Sequence, residues 1–98
     1  MTQPARTLLT PEAIVPHLPE GWLFDGAFVH RQYTFSDFDE AWAWMNQVAE
    51  IARSLDHHPE WTNVYNRVQI QLQTHDAGGV TETDLEFVRR VAALTPST

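Results

Sequence analysis

The chain has no cysteine, few basic residues and no long hydrophobic run, and each absence excludes a class of protein. Without cysteine there is no disulfide framework, thiolate metal site or thiol nucleophile. Six basic residues against thirteen acidic ones give a formal net charge of -7, which argues against direct nucleic-acid binding because phosphate neutralisation needs clustered cations. No segment reaches membrane-spanning length, and residues 1–6 lack the apolar run of a signal peptide. These absences predict a cytoplasmic protein without membrane or nucleic-acid partners.

The length and composition predict one small globular domain. The chain has 98 residues, of which 43% are hydrophobic and 19% charged, values that are ordinary for globular proteins. A domain of this size buries about 60–65% of its unfolded surface, enough for a modest core. We expect a flexible tail over residues 1–9 and a single domain over residues 10–95.

Capping signals predict three helices. Thr10 and Pro11 suit the N-cap and first position of a short helix. Ser36 is the predicted N-cap of the main helix, with Asp39 as its capping-box partner. Thr81 is the predicted N-cap of the last helix.

Two hairpins complete the predicted fold. Asp25 and Gly26 are the predicted two-residue turn of the first hairpin, and residues 66–67 are the predicted turn of the second. Val68, Ile70 and Leu72 alternate with glutamines, which is typical of a half-buried strand. The order α-β-β-α-β-β-α therefore predicts an α+β fold with a four-stranded antiparallel sheet and helices packed on one face.

The main helix carries a wide apolar arc. Its predicted buried stripe follows the i, i+3/i+4 spacing and comprises Phe38, Ala41, Trp42, Met45, Val48, Ala49, Ala52 and Leu55. Trp44 and Ile51 lie outside that stripe and widen the arc. We expect this extra apolar surface to be buried against a second packing partner, another subunit.

Three histidines fall close together in the predicted fold. His57 and His58 are adjacent and precede Pro59, and the hairpin that follows would carry His75 back beside them. Histidine titrates near neutral pH, so two imidazoles in different protonation states can serve as general acid and base in a dehydration. This convergence indicates a proton-transfer site.

Simpler interpretations of the same residues stay open. His57 and His58 are alternatively exposed loop residues, with His75 at a strand end. A metal site built from His57, His58, His75 and Asp76 has the right ligand types. Adjacent residues of an extended chain point to opposite sides, however, which disfavours one ion shared by His57 and His58.

Trp61 and Asp84 each have two interpretations. Trp61 could be a platform on which a flat heterocycle stacks, or a core aromatic residue on the sheet. Asp84 suits a capping residue at a helix start, and it could also serve the site if that helix end faces it.

The residues around the histidines resemble a known family. Residues 55–66 (LDHHPEWTNVYN) and 74–79 (THDAGG) resemble the signature of the pterin-4a-carbinolamine dehydratases, and Asp84 stands at the family's next acidic position. The similarity covers roughly residues 20–94, and the His-His-Pro plus Thr-His pattern is quite specific.

The resemblance implies an activity and a set of site residues. Family members remove water from 4a-hydroxytetrahydropterin without a metal or organic cofactor and give quinonoid dihydropterin, which serves tetrahydrobiopterin recycling after aromatic amino acid hydroxylation. A functional link to such a hydroxylase is therefore implied, as is a homodimer or homotetramer. His57 and His75 match the family's acid/base positions, and the matched substrate-site positions are Asp56, His58, Trp61, Thr74 and Asp84.

Arg53 departs from the family pattern, because many members carry glutamate there, three residues before the aspartate of the motif. If it faced the site, a guanidinium would favour neutral imidazole, whereas Glu50 one turn earlier could neutralise it. The resemblance also implies an alternative function, a non-catalytic dimerisation or assembly factor. Animal members double as dimerisation cofactors of a homeodomain transcription factor.

Overall fold

The computed structural model describes residues 3–94. The first two residues of the predicted tail, and Thr95 at the end of the predicted domain, lie outside the described residues. The helices are α1 (Pro11–Ile14, continued by a 3-10 turn over Val15–His17), α2 (Phe38–Leu55) and α3 (Glu82–Leu94). The strands are β1 (Leu23–Phe24), β2 (Val29–Thr34), β3 (Glu60–Val64) and β4 (Arg67–Leu72), and a second 3-10 turn covers His75–Ala77.

The four strands form one antiparallel sheet in the order β1-β2-β4-β3. The α+β fold and its strand number are thereby confirmed. The two hairpins pair with each other through β2 and β4, so residues from both halves of the chain meet at the middle of the sheet. Within the described part of the chain, no helix is long and apolar enough to cross a membrane.

The sheet has one buried and one polar face. Val68, Ile70 and Leu72 are at most 1% exposed and belong to the same core cluster as residues from α1, α2 and α3. Gln32 and Thr62, which occupy the alternate positions of β2 and β3, are exposed. The helices therefore cover one face of the sheet, as the alternation predicted.

Helix α2 begins one residue later than predicted. Its N-cap is Asp37, whose carboxylate accepts a hydrogen bond from the backbone N–H of Glu40 at 2.8 Å. The Glu40 side chain in turn accepts from the backbone N–H of Ser36 at 3.0 Å. The longer glutamate side chain reaches back past the cap, which Asp39 in the predicted Ser36–Asp39 pair is too short to do.

The apolar arc of α2 is also centred differently from the prediction. Trp44 and Ile51, assigned to a subunit interface, lie in the chain's own core at 4% and 9% exposure. Phe38 and Trp42, assigned to the core, are 42% and 51% exposed and stack on each other. The predicted assignment was wrong because the spacing fixes the width of an apolar arc, whereas the neighbouring elements fix its centre.

Both hairpin turns lie one residue away from their predicted positions. Asp25 pairs with Phe28, so the first turn is centred on Gly26 and Ala27. The Asp25 carboxylate accepts from the N–H groups of Phe28 and Ala27 at 2.7 and 2.9 Å, and these bonds lower the pKa of Asp25. In the second hairpin Val64 pairs with Arg67, which leaves residues 65–66 as the turn.

Candidate functional site

The end of α2 places the first two histidines. Asp56 adopts the left-handed conformation (φ 49°) and its N–H caps the helix on the carbonyls of Ala52 and Arg53. Aspartate tolerates this conformation better than most residues. The turn sends His57 inward, where it is 7% exposed, and leaves His58 exposed. The two histidines are thereby separated into a buried and a solvent-facing position.

The second hairpin and the turn after it bring His75 back to the same place. Thr74 forms an isolated bridge with Gly79, donating its N–H to the Gly79 carbonyl at 2.8 Å. The intervening 3-10 turn is followed by its C-cap Gly78, whose φ of 80° favours glycine. Thr74 is buried and His75 is exposed at the start of the turn.

Asp84 is the buried centre of a hydrogen-bond network. Its Oδ1 lies 2.5 Å from His57 Nε2, and its Oδ2 accepts from the Thr74 hydroxyl and the Thr81 N–H, both at 2.8 Å. The Thr74 and Thr81 hydroxyls also lie 2.7 Å apart. Asp84 is fully buried, so each of these bonds is shielded from water. Asp84 therefore accepts a hydrogen bond at the start of α3 and also fixes the orientation of the His57 imidazole.

The partners of His57 define its tautomer. The Arg6 Nη1 lies 3.3 Å from His57 Nδ1, and a guanidinium can only donate hydrogen bonds. Nδ1 is therefore the accepting nitrogen, and Nε2 carries the proton donated to Asp84. The carboxylate fixes the ring orientation and leaves Nδ1 beside Arg6.

Arg6 is a site residue that the sequence did not indicate. Its Nη2 donates to the backbone carbonyls of Leu55 and Asp56 at 2.9 and 3.0 Å. These carbonyls are at the C-terminal end of α2, where the helix dipole favours a cation. No local pattern marks Arg6, because its partner His57 stands 51 residues away in the chain.

The three histidines line one open cavity of about 360 Å³. This volume is within the range of small-molecule sites. The prediction that the second hairpin carries His75 back beside His57 and His58 is thus confirmed. The lining residues are Arg6, Asp56, His57, His58, Gln73, Thr74, His75, Asp76 and Ala77.

Three residues singled out from the sequence, Asp84, Trp61 and Arg53, do not line that cavity. Asp84 is fully buried and contacts His57 instead. Trp61 packs partly buried against the core and flanks a separate shallow groove on the sheet with Glu60 and Thr62. Arg53 is exposed and forms an ion pair with Glu50, so the alternative in which Glu50 neutralises it holds. Among residues 3–94, no group of three or more histidine or carboxylate side chains is placed to hold a metal ion.

Comparisons with known proteins show the family of the chain. Residues 7–94 match the family described as pterin 4 alpha carbinolamine dehydratase. A Bradyrhizobium sp. protein is 51% identical over 76 residues, covering 76% of each chain, and one from Novosphingobium aromaticivorans is 48% identical over 80 residues, covering 80% of this chain and 82% of its own. Both are named "Putative pterin-4-alpha-carbinolamine dehydratase".

A solved structure shows the same fold. The crystal structure of a protein from Brucella melitensis, named a transcriptional coactivator/pterin dehydratase, superposes with a TM-score of 0.84 at 41% identity. The match covers 90% of this chain and 98% of the Brucella chain. The chain belongs to the pterin-4a-carbinolamine dehydratase family, and the family and the names of its relatives support a dehydratase that acts on a pterin.

Proposed function

We propose that this protein eliminates water from 4a-hydroxytetrahydropterin by histidine acid/base catalysis, within tetrahydrobiopterin recycling. The observation that carries the proposal is the buried His57–Asp84 pair beside a cavity that His58 and His75 also line. Family membership supplies the substrate class.

The elimination requires two proton transfers. One acid protonates the 4a-hydroxyl, so that the bond between C4a and oxygen breaks and water leaves. One base removes the N5 proton, and the electron pair forms the C4a–N5 double bond of quinonoid dihydropterin. His57 and His75 line the same cavity from different elements and divide these transfers between them.

Asp84 prepares His57 for this work. Asp84 accepts a hydrogen bond from the Nε2–H group, which leaves Nδ1 as the nitrogen that exchanges a proton with substrate. The negative charge of Asp84 stabilises the imidazolium that forms when Nδ1 takes a proton. Thr74 acts through Asp84, because its hydroxyl donates to that carboxylate. The cavity-lining Asp56 and His58 are the proposed substrate contacts. Trp61 is also a proposed substrate contact, although it lines a separate groove on the sheet.

A direct assay with enzymatically generated 4a-hydroxytetrahydropterin tests the proposal. We expect His57→Ala and His75→Ala each to lower kcat by about 10²–10³, the scale of losing one general acid or base. His17→Ala is the matched control, since His17 is an exposed histidine at the end of the first 3-10 turn and should leave kcat unchanged. Wild-type turnover no faster than buffer would refute the enzyme proposal.

A second candidate function is an assembly or dimerisation factor. The Brucella protein is named a transcriptional coactivator as well as a dehydratase, and this chain exposes the stacked Phe38 and Trp42 side chains on α2. The histidine set gathered in one cavity favours the enzyme, because a scaffold has no use for it. We propose that the exposed pair serves a homodimer or homotetramer of the enzyme.

A further inference from the structure

The side chain of Arg6 lies against His57 at the cavity. Its Nη2 is bonded to two carbonyls at the end of α2, and its Nη1 lies 3.3 Å from His57 Nδ1. Arg6 stands immediately before the stretch of residues 7–94 that matches the family. The contact therefore comes from outside the matched pattern.

The backbone on both sides of Arg6 is anchored independently of its guanidinium. On one side the Ala5 carbonyl accepts from the backbone N–H and the hydroxyl of Thr83, at 3.3 and 3.2 Å. On the other side the Leu9 N–H donates to the Val80 carbonyl at 2.9 Å. Ala5 and Leu9, both in the predicted tail, are thus bonded to the domain. Arg6 stays beside the site whichever way its side chain points.

The Arg6 contact leaves His57 with no ring nitrogen that is free to exchange a proton with substrate. Each ring nitrogen makes one hydrogen bond in the ring plane, and Nε2 is already used by Asp84. When Arg6 donates to Nδ1, the second position is used as well. The Arg6 contact and proton exchange at Nδ1 therefore exclude each other.

We propose that Arg6 is a positioning residue that caps His57 Nδ1 before substrate binds and that substrate must displace. This inference rests on the proposed function, because the displacing group is the pterin. The two carbonyl contacts of Nη2 do not depend on His57, so the guanidinium can release Nδ1 without leaving the end of α2. The cap holds the imidazole in the tautomer that Asp84 requires until substrate arrives.

Only uncapped molecules can bind substrate. The apparent affinity for substrate is therefore the intrinsic affinity multiplied by the fraction of molecules that are uncapped. The distance of 3.3 Å is long for a hydrogen bond, so the effect should be modest. We expect Arg6→Ala to lower KM by about threefold to tenfold and to leave kcat within about twofold. Arg53→Ala is the matched control, an exposed arginine near the end of α2 that contacts Glu50 and not the site.

Chemical labelling tests the cap without reference to activity. Diethyl pyrocarbonate acylates an unprotonated imidazole nitrogen, and fragment spectra of the labelled peptide distinguish His57 from His58. The exposed His58 is the internal reference. Labelling of His57 relative to His58 should rise about threefold to tenfold in Arg6→Ala. It should rise less in Arg6→Lys, which keeps the charge without the planar fork, and not at all in Arg53→Ala.

The two measurements separate the possible failures. Unchanged His57 labelling in Arg6→Ala, with melting temperature and circular dichroism like wild type, would overturn the cap. A raised KM would also overturn it, because Arg6 would then bind substrate rather than compete with it. If the wild type has no turnover, the proposed function fails, and labelling alone still decides whether Arg6 caps His57.

Discussion

The inner and outer sides of the helix layer use the same residue types in different ways. On the inner side Trp44 is 4% exposed in the core, and on the outer side Trp42 is 51% exposed. On α3, Asp84 is fully buried against His57, whereas the Glu86 side chain keeps 26% exposure and pairs with arginines. Two residues along a helix are enough to move a side chain from one side to the other.

The difference lies in what can replace a lost partner. The partners of Asp84 are an imidazole N–H, a hydroxyl and a backbone N–H, all shielded from water. Glu86 accepts from Arg90 and Arg89, which lower its pKa, and water can take the place of either. Removing an inner partner should therefore cost far more free energy than removing an outer one.

The largest expected effect is the difference in unfolding free energy between alanine substitutions of the two tryptophans of α2. Trp44→Ala should lower the free energy of unfolding by about 3–5 kcal/mol, because it opens a cavity in the core. Trp42→Ala should change it by about 0.5 kcal/mol or less, as for other exposed positions. Urea unfolding of both variants at low protein concentration measures the two costs. Equal losses would contradict the division into inner and outer sides.

The next largest effect should be the difference between amide substitutions of two carboxylates of α3, Asp84 and Glu86. Asp84→Asn replaces an accepting oxygen with an NH₂ group that faces other donors, so we expect a loss of about 2–3 kcal/mol in unfolding free energy. Its kcat should fall about 10²-fold, because the imidazole loses its orienting charge. Glu86→Gln is the matched control and should retain wild-type kcat within about twofold. A fully active Asp84→Asn enzyme would show that Asp84 only caps the helix.

The exposed aromatic pair gives a smaller effect, on assembly. We expect a dimer or larger species by light scattering at micromolar concentration, because Phe38 and Trp42 leave apolar surface on α2. Trp42→Ala should weaken association about tenfold, the scale of one aromatic contact residue. A wild-type monomer under those conditions would show that the outer side of α2 faces solvent.

The smallest effect is the pH dependence of the outer ion pair. The Glu86 pKa is lowered below its usual value of 4.5, so the stabilisation is present above that value and is lost as pH falls through the folded-state pKa. At pH 7 Glu86→Gln should cost about 0.5 kcal/mol. The gap between variant and wild type should begin to close as pH falls below 4.5 and should vanish once pH is below the lowered folded-state pKa. A gap that stays constant to pH 3 would exclude the ion pair as its cause.

Local patterns predicted the fold and part of the site. Alternation at Val68, Ile70 and Leu72 identified the buried face of β4, and the hairpin spacing placed His75 beside His57. These features depend on interactions over a few residues or on the length of one hairpin. Strands and helices are visible in the sequence as hydrophobic periods of 2 and 3.6 residues.

Other features depend on contacts between distant elements and could not be predicted. The spacing of α2 allowed either tryptophan into the core, and packing against Tyr33 and Phe35 selected Trp44. Arg6 reaches the site because the carbonyls of Pro4 and Ala5 accept hydrogen bonds from Thr83 at the start of α3, and no sequence period reveals these bonds. Tertiary packing decides such choices.

The separation of the site residues along the chain has a consequence for synthesis and folding. Arg6 precedes His57 by 51 residues, and Asp84 follows it by 27. A ribosome therefore releases the imidazole well before the carboxylate that orients it. Until α3 has docked, the imidazole of His57 has no carboxylate to orient it. We therefore expect catalytic activity to appear only when α3, the last helix, has folded onto the rest of the domain.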